Sequence, residues 1–319
     1  MIKKLLTAVV LGGGLATTAI AWGQAARTIS VVVPFGPGGP IDTIARVVTE
    51  DMQKRLGRTM VVVNRPGGSG IIAVNSVAQA APDGSTLFFS SAGSLSKTLL
   101  QAFPFEFLDR MQAVAPTVIN GYCLFMSKEH AVGDLRELVA SAKRKPGAFA
   151  YGAQTATTTL GMEMFKSKAG VDLLAVQYAG GSAQARTALL SNEIQLLMDS
   201  PGGATAALVK SNRLAPLACA GTERDPSLPE VPTFGELGYP DVVVFSSIGF
   251  WAPKDVDAAL VRELEAATRA TMQSQEVKQR LETMGFVVTP GSGKELLERT
   301  RRERAFFDEA ARIANYQPR

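Results

Sequence analysis

The stretch ISVVVPFGPGGPIDTIARVVTEDM, residues 29 to 52, runs a short apolar segment into a glycine- and proline-rich loop and then into a helical repeat. Ile29 to Val33 reads as a buried strand and PFGPGG as a tight loop, after which Ile41, Ile44, Ala45, Val48 and Met52 recur at helical spacing. Pro40 suits the first helical position, where its missing N–H costs nothing. Strand, loop and helix in this order form the repeating unit of a parallel α/β sheet with crossover helices.

The same plan recurs outward from this unit. TMVVVN (59 to 64) leads to RPGGSG and a helix-like run to Ala80, and a PDG turn (82 to 84) opens TLFFSSAG (86 to 93). Asp134 with Glu137 makes a capping-box pattern for a helix ending near KPG (145 to 147), AFAYG begins a strand, and a threonine-rich loop precedes a helix to Gly170. LLAVQY, the loop AGGS, another helix and IQLLMDS follow, and Ser292 with Glu295 frames the start of a charged terminal helix. No low-complexity linker interrupts the series, so two lobes would be joined by ordered strands that cross more than once. Crossings near 119 to 126 and 242 to 250 assign 26–122 and 247–319 to lobe 1 and 123–246 to lobe 2.

The chain begins MIKKLLTAVVLGGGLATTAIAWGQAA, a lysine pair, a modest apolar run broken by glycines, and small residues, so residues 1–25 read as an export signal. Its removal takes Lys3 and Lys4 and no acid, which lowers the formal charge from +4 to +2. The sequence pI of about 9.1 therefore does not mark a nucleic-acid binder, and no basic run is interleaved with aromatics. Arg299, Arg301, Arg302 and Arg304 alternate with acids and read as a solvated helix face. Export permits a disulfide between Cys123 and Cys219, both inside apolar runs, and two buried thiols fit the sequence equally. His130 is the only histidine, which rules out a multi-histidine metal site, and no metal or cofactor is expected. A catalytic triad has little to build on, because no G-x-S-x-G elbow occurs.

Four strand ends run into glycine-, serine- or threonine-rich loops: GPGGP (36 to 40), SSAGS (90 to 94), TATTT (155 to 159) and AGGS (179 to 182). In an α/β sheet such loops lie at the carboxyl ends of the strands, where ligands bind, and backbone N–H groups at helix N-termini there favour an anionic oxygen. Ser91, Thr157 and Thr158 add neutral hydroxyl donors. None of the four loops carries a lysine, arginine or histidine, so fixed dipoles rather than charges would hold the anion. Two acids stand beside them. Asp42, in the first turn of its helix, either answers the helix dipole or touches the ligand, and Asp199, ending LLMD, either receives a ligand ammonium or fixes the local backbone.

Six segments carry a resemblance: VVPFGPGGPIDTIAR (32 to 46), VVNRPGGSG (62 to 70), AAPDGSTL (80 to 87), LRELVASAKRKPGAFAYG (135 to 152), YAGGSAQARTALLSNEIQLLMDS (178 to 200) and LPEVPTFGELG (228 to 238). In order and spacing they resemble the extracytoplasmic solute receptors of the tripartite tricarboxylate transporter family, the Bug-type periplasmic binding proteins. The resemblance implies a two-lobed, type II-like periplasmic binding fold, a monomer in the periplasm that captures a small carboxylate, and separately encoded membrane permease subunits as partners. It implies a receptor and no enzyme. By motif, Phe35, Gly38, Gly39 and Asp42 would form the carboxylate loop of lobe 1 with Ser91 and Ser94 beside it, while Thr157, Thr158, Gly180 and Asp199 would face them from lobe 2. The chain departs from the pattern at Thr159, Ala179, Ser247 and Ile248, where relatives commonly carry a histidine, a lysine and a tryptophan-tyrosine pair. Those departures leave the pocket less cationic and less aromatic. A ligand-binding sensor that docks on a membrane signalling receptor is the alternative, followed by a secreted enzyme.

Overall fold

The structure, a computed structural model, describes residues 28–95, 105–178 and 181–316. The expected signal, residues 1–25, and Gly180 lie outside them. β1 (Ile29–Val33), α1 (Pro40–Leu56), β2 (Met60–Asn64), α2 (Ile71–Ala78) and β3 (Thr86–Ser91) follow the expected alternation. Ile29, Val31 and Val33 on one face of β1 and Val32 on the other are all buried, the pattern of a strand covered on both sides by helices. Ile44, Ala45, Val48 and Met52 of α1 are fully buried against that sheet, and Gly57 ends the helix in the left-handed conformation with φ 59°.

After the single turn α3 (Phe107–Arg110), β4 (Met111–Gly121) carries the chain out of the first sheet, and Tyr122 leads directly into β5 (Cys123–Ser127). The second set of elements runs α4 (Leu135–Arg144), β6 (Ala150–Ala153), α5 (Ala156–Ala169), β7 (Leu174–Gln177), α6 (Gly181–Leu190), β8 (Leu197–Asp199), α7 (Gly203–Lys210) and β9 (Leu214–Cys219). β10 (Phe245–Pro253) returns to the first sheet, and α8 (Ala258–Met272), α9 (Gln275–Thr283), β11 (Val287–Val288) and α10 (Gly293–Ile313) complete it.

The first sheet has the order β11-β4-β10-β3-β1-β2 and is mixed, where the sequence pattern suggested a parallel one. β1 is parallel to β2 and β3, whereas β10 inserts antiparallel between β3 and β4. The reason is topological: a chain that leaves through β4 and comes back from the far side must enter the sheet in the opposite sense. In the second set β5 is antiparallel to both β8 and β9, and β6 pairs with β7 and bridges Tyr151 to Leu196 beside β8. The two crossings run side by side. The Ala220 N–H donates to the Tyr122 carbonyl and the Val244 N–H to the Ala220 carbonyl, each at 2.7 Å.

Cys123 and Cys219, left open by the sequence, are joined in a disulfide. The Ser292 and Glu295 capping box forms in both directions, while Asp134 caps α4 by accepting from the Glu137 N–H. One hydrophobic core runs from Phe88 and Trp251 of the first sheet and Phe107 of α3 to Tyr151 of β6, Phe165 of α5 and Phe234, through Phe307, Ala310 and Ala311 of α10.

Candidate functional site

The carboxyl ends of β1 and β3 share the edge at which β4 leaves and β10 enters, because Ile248 pairs with Ser91 and Phe245 with Gly121. The carboxyl ends of β8 and β9 meet the start of β5 in the same way, Cys123 pairing with both Asp199 and Cys219. Two hydrogen bonds join these edges: the Ser200 hydroxyl donates to Asn120 Oδ1 at 2.7 Å, and the Tyr122 and Ser246 hydroxyls lie 3.2 Å apart. The GPGGP and SSAGS loops therefore open on one region, and the parallel bridge of Tyr151 to Leu196 brings the TATTT loop after β6 to the same side as the end of β8; residues 179 and 180 of AGGS lie outside the described residues.

In the first sheet, Asp42 lies beneath its loop and is 2% exposed. Arg46 reaches it with two N–H groups at 2.9 Å, Gly38 donates its backbone N–H at 2.9 Å, and the Asn64 amide donates at 2.8 Å. The Arg46 guanidinium, helped by the Gly38 and Asn64 bonds, holds the Asp42 carboxyl down at about 2, against the opposing effect of burial. Asp42 builds the loop, and Gly38 with φ 80° supplies the left-handed turn that brings its N–H onto the carboxylate. The Phe35 ring stands outward, 49% exposed, and Gly39 starts α1 with no side chain capping it. The first-turn N–H groups of that helix have no partner within the helix itself.

At the end of β3 the expected donors already have a partner, one the sequence reading missed. Glu303 of α10 is buried, and its Oε2 accepts from the Ser91 hydroxyl at 2.9 Å while its Oε1 accepts from the Ser247 N–H at 2.5 Å. The Gly93 N–H donates to the same carboxyl. Burial pushes this group up to about 8, outweighing the three hydrogen bonds and the Arg299 charge that favour ionisation. A Cβ on Gly93 would meet Glu303 Cδ at 3.0 Å, so the close approach requires glycine. Ser94 is half-buried on the turn that follows.

The arginine cluster of α10 is thus only partly the solvated face expected of it. Arg301 and Arg302 are exposed, but Arg304 pairs with Glu106 at 2.5 Å, and Arg299 is half-buried with Nη1 unpartnered. The overlooked signal was periodic: Leu296, Thr300, Glu303, Phe307 and Ala310 fall on one helical stripe, and an acid in such a stripe is a buried acid.

In the second set, Thr155 caps α5 and exchanges a hydrogen bond of 2.9 Å with the Thr158 hydroxyl, which also approaches the Thr155 carbonyl. Thr157 and Thr158 are both buried at this N-terminus. Asp199 is 4% exposed and fully engaged. Its Oδ2 accepts from Arg186 Nη1 at 2.7 Å and from the Thr205 hydroxyl at 3.0 Å, and its Oδ1 accepts from the Ser200 N–H at 3.0 Å. Arg186 was not singled out from the sequence, although it follows the AGGS loop by about one helical turn and helix side chains slant back toward the N-terminus. Gly202 starts α7, like Gly39 in α1, with no side-chain cap. A surface concavity of about 370 Å³ lined by Leu135, Val209, Leu217 and Pro232 involves none of these loops.

Two α/β units joined by paired crossing strands, with strand ends and helix N-termini converging on the crossing, define a periplasmic binding protein fold. Residues 44–304 match the model of the tripartite tricarboxylate transporter family receptor, and the chain belongs to that family. It is 30% identical over 285 residues to Protein BugT of Bordetella pertussis, covering 87% of each chain. Among solved structures it resembles R. palustris Rpa4515 with adipate (TM-score 0.80, 27% identity, 93% of this chain and 100% of that one). It also resembles MatC of Rhodopseudomonas palustris with bound malate (TM-score 0.76, 26% identity, 90% and 99%). The periplasmic binding protein BugD superposes with a TM-score of 0.76 at 27% identity. Among the described residues no helix is long and apolar enough to cross a membrane.

Proposed function

We propose that this chain is exported through residues 1–25 and works in the periplasm as a monomeric receptor. It captures a small carboxylate between two lobes, 26–122 with 247–319 and 123–246, delivers it to separately encoded permease subunits, and performs no catalysis. The observation that carries the reading is the convergence of α1 and α7 on the crossing edge, each begun by a glycine without a side-chain cap. Such helix ends offer backbone N–H groups and positive potential to an anionic oxygen. The acids held by Rpa4515 and MatC support a carboxylate as that anion.

In this reading Phe35, Gly38, Gly39 and Ser94 meet the ligand from lobe 1, and Thr157 and Gly180 meet it from lobe 2. Asp42, Ser91, Thr158 and Asp199 stand behind them and fix the loops, since each already holds an internal partner. The hinge is the pair of crossings at Tyr122 and Val244. Mass spectrometry of the solute that co-purifies with the exported protein, followed by calorimetry with that solute, tests the proposal. A small acid recovered chemically unchanged is the expected result. Turnover of the solute, or a bound molecule without a carboxylate, would contradict it.

A further inference from the structure

The cleft carries acids, and their partners decide what it accepts. Among the described residues, the buried acids at the converging strand ends and loops are Asp42, Asp199 and Glu303. Asp42 is filled by Arg46, Asn64 and Gly38, Glu303 by Ser91, Ser247 and Gly93, and Asp199 by Arg186, Thr205 and Ser200. Asp225, half-buried against Gly121 at the end of β4, accepts through Oδ1 from the N–H and hydroxyl of Ser227. Asp199 is the decisive case, because it ends β8 beside Cys123 and would otherwise present a carboxylate to the cleft. Arg186 Nη1 already supplies that carboxylate with a cation, 2.7 Å from its Oδ2.

We infer that this receptor selects carboxylic acids that carry no amino group, with Arg186 serving as the built-in cation that excludes an ammonium from Asp199. The inference rests on the carboxylate-capture reading above and narrows it. An amino acid entering this cleft would bring an ammonium toward Asp199, whose carboxylate is already paired with Arg186, and a buried charge left unpaired beside another cation lowers affinity by a factor of ten or more. The acid without the amino group loses nothing there.

The test is calorimetry on the exported protein, freed of co-purified solute, with pairs of acids that differ only in the amino group. The pairs are succinate and aspartate, glutarate and glutamate, adipate and 2-aminoadipate, and 3-phenylpropanoate and phenylalanine. In whichever pair binds, the plain acid is expected to bind at least about tenfold more tightly. An amino acid that binds as well as its plain partner, or better, overturns the inference and leaves carboxylate capture standing. If no acid of either kind binds, carboxylate capture itself is wrong and the inference falls with it. Arg186→Met empties the place beside Asp199 and is expected to reduce the preference at least tenfold. A folded variant with an unchanged preference refutes the role of Arg186, and if the variant does not fold, the wild-type pairs still decide.

Discussion

Cys123 and Cys219 face each other across β5 and β9, each one residue from the backbone bond that ties Tyr122 to Ala220. The bridge therefore staples the first crossing to the end of β9, next to Ala220, which bonds to both Tyr122 and Val244 of the crossings. It joins residues separated by 96 positions, and a constraint of that span on the unfolded chain is worth about 2 to 4 kcal/mol in practice. Replacing both cysteines with alanine should lower the unfolding free energy by about that amount, read from the urea midpoint. Equal midpoints with and without the bridge would show that the pairing of β5 with β9 holds without it.

Gly39 separates a structural role from a binding role. A Cβ there meets only the Gly36 carbonyl at 3.6 Å, an ordinary contact, and the backbone at φ −75° accepts any side chain. Gly39→Ser places a hydroxyl over the first-turn N–H groups of α1 and should stabilise the protein by a few tenths of a kcal/mol. The same hydroxyl competes with the ligand for those groups, so affinity should fall, by about tenfold or more. Calorimetry beside thermal melts reads both effects. Unchanged affinity would remove the α1 N-terminus from the site.

The buried Glu303 gives stability a definite pH dependence. Its carboxyl titrates at about 8 in the folded protein against 4.5 unfolded, so between these values the folded protein keeps a proton that the unfolded chain has released. Stability should fall as pH rises from about 4.5 to about 8 and then level off with respect to this group. Glu303→Gln should flatten that decline in a series of thermal melts. Asp42, held at about 2, acts only at the acid end, where its contribution is lost as pH falls, and does not disturb the window. A variant with the same slope as the parent would show that Glu303 is already ionised in the fold.

Gly202, at the start of α7, packs against the turn between α9 and β11. A Cβ on Gly202 would lie 2.5 Å from the Met284 carbonyl oxygen and 3.0 Å from Gly285 Cα, both backbone atoms that cannot swing aside. Gly202→Ala should push this contact open and weaken ligand binding about tenfold, with a larger radius of gyration in small-angle scattering of the liganded protein. Parent-like scattering and affinity would show that the contact plays no part in closure.

The strand-loop-helix alternation was legible because each signal is local: the apolar run at 29–33, Pro40 at the first helical position, and Ser292 with Glu295 three residues on. The return of β10 into the first sheet was legible only as a crossing near 242 to 250, since nothing in FSSIGFWAP states which strands will flank it. The loops that carry the candidate site could be read from glycine and hydroxyl content. Their internal partners could not, because Ser91 meets Glu303 across 212 residues of sequence and Arg186 meets Asp199 from the helix that precedes its strand. A loop's composition tells which donors it offers and not which of them the fold has already used.

The position of β10 between β3 and β4 also bears on the life of the chain before it is folded. Residues 245–253 complete a sheet begun at residue 29, so a chain emerging from its N-terminus presents Phe88 and Phe89 on an open strand edge until its final third arrives. Pairings this distant form late, and an unfinished edge invites wrong partners unless a holding protein covers it. The same delay keeps the nascent chain from locking into its final form early, and so preserves the loose state in which a polypeptide can be threaded across a membrane.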